Sequence, residues 1–60
     1  MNYAEFYQIL TEAEWRVANV SDAGVRERSA ETVALCKERM AREGLTRDAL
    51  IKLAAEDLED

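Results

Sequence analysis

Cys36 is the one thiol among 60 residues, and no histidine stands beside it in the sequence to activate it. It falls on an apolar stripe with Val33 and Met40, which reads as a small core residue rather than a nucleophile. The carboxylate pairs Glu12 with Glu14 and Glu56 with Asp57 are the candidates for acid–base or hard-metal chemistry. Positions one or two apart diverge around a helix, so neither pair presents both carboxylates to one proton or ion. Gly24 and Gly44 lie too far apart to form a phosphate-cradling loop. With no second Cys, an intrachain disulfide and the usual thiolate and imidazole zinc cages are excluded. No catalytic, cofactor-binding or metal-ligating residue is therefore expected.

The charges point to a solvated surface. Eight Lys and Arg stand against 13 Asp and Glu, a formal net charge of -5, and signs alternate in Arg26-Glu27-Arg28 and Lys37-Glu38-Arg39. Glu12 with Arg16, Glu38 with Arg42 and Asp48 with Lys52 have the i,i+4 spacing of helical ion pairs. The acidic balance weighs against binding nucleic acid or anionic lipid through net charge. No apolar run approaches the roughly 18 to 20 residues of a membrane span, and a signal peptide is not expected. A lone thiol suits a reducing compartment, so a cytoplasmic location is the expectation.

Two apolar residues depart from the inward pattern. Trp15 falls far around its helix from Phe6, Leu10 and Val17, among Gln8, Glu12, Arg16 and Asn19. Leu35 falls nearly opposite Val33 and Met40, among Arg28, Glu31, Glu38, Arg39 and Arg42. For Trp15 the bland alternative is a hydrophobic staple with Leu10 around a helix start at Thr11. The functional alternative is a partner interface formed by Trp15, Leu35, Arg16 and Arg39, because aromatic anchors with Arg neighbours typify interface centres.

The elements that position these residues are helices. There is no Pro, the strong helix formers Ala, Leu, Glu, Lys and Arg dominate, and apolar positions recur at three and four. An all-α domain of three helices follows, spanning about 3–19, 22 or 29 to 43, and 46–58. Tyr3, Phe6, Tyr7, Leu10, Ala13 and Val17 form the core stripe of the first. Thr11 to Glu14 also has capping-box spacing, so either one helix runs through or a short turn precedes a helix from residue 12. Asn19 to Gly24 is the connection, and Ser29 is an N-cap for the sure part of the second helix, which ends at Gly44. Ala30, Ala34 and Ala41 flank its inward face and permit close helix approach. Thr46 caps the last helix, whose broad face of Leu50, Ile51, Leu53, Ala54 and Leu58 suggests contact with its own chain on one side and a second chain on the other and is read as a dimer core, although a buried central helix has the same pattern. The acidic tail from Glu56 to Asp60 opposes its own helix dipole and is expected to fray.

Ser29 opening a helix, Glu43-Gly44 closing it, and Leu45-Thr46-Arg47-Asp48-Ala49-Leu50-Ile51-Lys52 as turn and second helix resemble the two helices of the ribbon-helix-helix family of dimeric DNA-binding regulators and antitoxins. The resemblance covers residues 29–58. It implies a strand before the first helix, paired with its copy in the major groove, and assigns Arg26, Arg28 and Ser29 to DNA. The family's inward apolar strand positions fall here on Gly24, Arg26 and Arg28, a departure that would bury two charges. A one-residue slip turns both Arg outward but leaves Val25 and Glu27 inside.

Size supplies the last constraint. A chain this short buries only about 60% of its unfolded surface, and one core rarely contributes more than roughly 3 to 5 kcal/mol. Oligomerisation is the common remedy, so a homodimer is expected. The leading expectation is a non-catalytic protein-interaction or regulatory module acting on an unidentified protein partner. The alternatives are a ribbon-helix-helix-like regulator or antitoxin and, third, an acidic inhibitor of a larger enzyme.

Overall fold

A computed structural model describes residues 2–59. Three helices follow one another, α1 (Tyr3–Asn19), α2 (Ala23–Glu43) and α3 (Arg47–Glu59), and no strand occurs among the described residues. The all-α, three-helix reading stands. No helix is long and apolar enough to cross a membrane.

Asn2 caps α1, its side-chain oxygen accepting from the Glu5 N–H at 2.8 Å. The helix continues through Thr11, whose hydroxyl points back to the Tyr7 and Gln8 carbonyls at 3.0 and 3.1 Å. A Thr bonded to the preceding turn is no longer an N-cap, so the capping-box spacing at Thr11 marks no helix start.

The second helix begins earlier than Ser29. Asp22 is its N-cap, accepting from the Val25 N–H at 3.0 Å, and residues 24–28 are helical. Ser29 as a cap is thus corrected: it lies within α2, 7% exposed, in the seam with α1. Gly44 ends the helix at φ 68°, the left-handed conformation that favours glycine. Its N–H donates to Ala41 O and the Leu45 N–H to Met40 O, the paired bonds of a Schellman turn. Leu45 then folds against the core. Thr46 caps α3, accepting from the Ala49 N–H at 3.1 Å.

Both α2 and α3 lie against α1, and neither approaches the other's backbone as closely. Arg47 reaches Glu14 while the Tyr3 amide meets Asp57, so α3 runs antiparallel to α1. The core joins Phe6 and Leu10 of α1, Cys36 and Met40 of α2, and Leu50 of α3. Ala13 and Ser29 are the small buried residues that line one α1–α2 groove, letting these helices close together there. The expected flanks Ala30, Ala34 and Ala41 are exposed instead, because α1 crosses α2 on its Ser29 side.

Candidate interaction surfaces

Trp15 is 61% exposed on α1 and Leu35 is 66% exposed on α2, as their phases imply. The staple alternative for Trp15 has lost its basis, since α1 has no start at Thr11 and Leu10 is sealed in the core. Asn19 donates to the Trp15 carbonyl at 2.9 Å in the last turn of the helix. Burying a side chain of this size gains a few kcal/mol, so its exposure leaves an unrealised contact.

The flanking arginines differ. Arg39 is held inside its own chain: its guanidinium carbon lies 4.8 Å from the Phe6 ring centre, and Nε meets Glu43 at 2.6 Å. That hydrogen bond pushes the Arg39 pKa up and holds the Glu43 carboxyl below its usual range. Arg39 therefore lids the core beside Leu35 rather than standing free for a partner. Arg16 makes no ion pair among the described residues. Its expected partner Glu12 accepts from Gln8 at 3.1 Å instead. Arg16 and Arg28 border a groove of about 300 Å³ floored by Ala13 and Ser29.

The expected i,i+4 pairs of Glu12, Glu38 and Asp48 are absent within 4 Å among the described residues. Of the two ion pairs among the described residues, Arg39–Glu43 lies within α2 at i,i+4 and Arg47–Glu14 ties α3 to α1. Arg47 grips both oxygens of Glu14 at 2.8 and 3.1 Å, and this bond, more than charge alone, lowers the Glu14 pKa. Sequence spacing exposes only local pairs, so Arg47–Glu14 is not legible in it, whereas Arg39–Glu43 has the legible i,i+4 spacing and was missed.

The dimer-core set divides. Leu50 is 0% exposed and Ala54 is likewise buried, so both belong to the chain's own core rather than to a dimer core. Leu53 is half-buried, Ile51 is 42% exposed, and Leu58 is 78% exposed. The tail expected to fray is helical to Glu59, with Asp60 outside the described residues. Asp57 has a partner that explains this: it accepts the Tyr3 N–H at 2.6 Å, placing a carboxylate at the positive end of α1.

Arg26 and Arg28 stand on the first turns of α2, with Arg28 Nε donating to Gly24 O at 3.3 Å. Burial pushes the Cys36 thiol up, away from reactivity. Among the described residues, no three His, Cys, Asp or Glu side chains are grouped to hold a metal. No family model, curated protein or solved structure matches the chain.

Proposed function

We propose that this chain is a non-catalytic helical interaction module that works as a homo-oligomer and offers Trp15 to a partner protein, with Leu35 as a second contact. The observation that carries the reading is Trp15, exposed on a polar helix face with no local capping role. Exposed Trp is uncommon on a monomer surface, and Trp is the residue type most enriched among binding hot spots. Arg16 beside it supplies an uncommitted cation. The single free thiol favours a reducing compartment, so the cytoplasm is the proposed location.

The test replaces Trp15 with Ala and follows self-association by sedimentation and partner capture by pull-down. The expected result is a loss of at least about tenfold in one of these with helicity unchanged, the scale of a hot-spot truncation. Unchanged profiles in both assays reject the reading.

A further inference from the structure

The groove between α1 and α2 gathers cations that the fold leaves unused. The connection at residues 20–22 turns α2 back along α1, so Arg16 from the last turn of α1 and Arg28 from the second turn of α2 line one groove of about 300 Å³. Neither enters an ion pair among the described residues, whereas Arg39 and Arg47 do. Arg28 Nε donates to Gly24 O at 3.3 Å, a bond that anchors the side chain and leaves both Nη atoms without a carboxylate. Glu12 also lines the groove, its Oε1 accepting from Gln8 at 3.1 Å. The charged lining of two Arg and one Glu therefore carries an excess positive charge in a chain of net charge -5. A cleft with an excess of one sign concentrates ions of the other.

Ser29 on the groove floor points independently to a ligand. It is 7% exposed, and among the described residues no hydrogen bond closes on its hydroxyl. No fully buried side-chain oxygen or nitrogen lacks a partner, so the exposure left to Ser29 is at Oγ, which opens into the groove. Thr32 beside it is already satisfied, donating to Arg28 O at 3.1 Å. Hydroxyls this deep are ordinarily bonded, and this one has a proton to give. Ala13 and Ile9 add an apolar wall.

We infer that this groove binds a carboxylate carried on a short aliphatic stem. The planar forks of Arg16 and Arg28 suit the two oxygens of a carboxylate, Ser29 Oγ donates to one of them, and the stem lies against Ala13 and Ile9. One negative charge balances the lining, whereas a dianionic phosphate would leave a charge in excess facing Glu12. The carboxylate belongs to a free aliphatic acid or to an acidic side chain of a partner protein. The inference stands apart from the role of Trp15 and holds or fails without it.

Titration of the full chain with butyrate, followed by NMR of the backbone and arginine side chains, tests it. A ligand of so few atoms should bind with a dissociation constant of about a millimolar, with shifts concentrated at Ala13, Ser29, Thr32 and the Nε–H groups of Arg16 and Arg28. Butyramide has the same shape without the charge and should bind about tenfold more weakly or worse, as should butyrate to Arg16→Gln or Arg28→Gln. Both arginines are exposed, so these variants keep the fold. Ser29→Ala removes the donor with little change of volume and should weaken binding about threefold at unchanged helicity. A capped alanine–glutamate–alanine peptide separates the sources: binding tighter than butyrate assigns the carboxylate to a partner's side chain, and weaker binding assigns it to a free acid. Shifts scattered over the whole surface, equal binding of butyramide, inorganic phosphate bound more tightly than butyrate, or affinity unchanged in both Gln variants overturns the inference.

Discussion

The backbone N–H of Tyr3 donates to Oδ2 of Asp57 at 2.6 Å, joining the first turn of α1 to the last turns of α3. The phenol of the same residue donates to Glu43 Oε1 at 3.2 Å, so Tyr3 bonds to both other helices. The first N–H groups of a helix have no partner within it, and a carboxylate there meets both that need and the dipole. An acidic C-terminal segment that looks ill-placed on its own helix is thus well placed on another.

Asp57→Ala should destabilise the fold by about 1 kcal/mol, the usual cost of losing a side-chain cap at a helix N-terminus. Asp57→Asn keeps an acceptor and removes the charge, so its loss should be smaller. Thermal unfolding of the two variants checks the order.

The Glu14–Arg47 pair gives the fold an acid-sensitive contribution. Arg47 lowers the Glu14 pKa below its ordinary value, so the stabilisation is fully present above the unfolded carboxylate pKa. It disappears as pH falls through the lower folded value. Arg47 is half exposed, so the pair contributes about 0.2 to 1 kcal/mol and less in high salt. Glu14→Gln should therefore narrow its stability gap to the wild type as the solution is acidified. A gap that is constant with pH would remove the pair from the account.

Leu10→Ala should cost about 2 to 5 kcal/mol, because Leu10 is sealed at the centre of the core. That is comparable to the whole stability expected of a domain this small, so the variant should be largely unfolded at room temperature. Leu35→Ala, on the exposed side of α2, should stay within about 0.5 kcal/mol of the wild type. Denaturant titrations of both give the contrast directly.

Cys36 should react slowly with thiol reagents under native conditions. It is buried, and burial raises its pKa, so little thiolate is present near neutral pH. Labelling should accelerate sharply with denaturant as the core opens. Rapid labelling of the native chain would contradict the core described here.

What the sequence revealed was what helical periodicity and local caps encode. The stripe of Phe6, Leu10 and Ala13, the stop at Gly44, the cap at Thr46 and the outward phases of Trp15 and Leu35 all depend on neighbours within a turn or two. The cap of α2 was not legible because Asp22 reads as part of a polar connection while Ser29 has the local signature of a cap, and only packing against α1 puts Ser29 inside. The bonds of Asp57 to Tyr3 and Arg47 to Glu14 join residues far apart in the chain, and no local spacing announces them. Leu50 and Ile51 are adjacent and equally apolar. One is sealed and the other open only because α3 lays one side against α1 and the shared core.

The most direct test of the interaction reading is photo-crosslinking from a benzophenone side chain introduced at position 12, one helical turn from Trp15, with Ala41, also exposed, as the control site. The account predicts saturable covalent adducts, with a second copy or a partner protein, from position 12 and none from position 41. Equal adducts from both positions, or none from position 12, would contradict it.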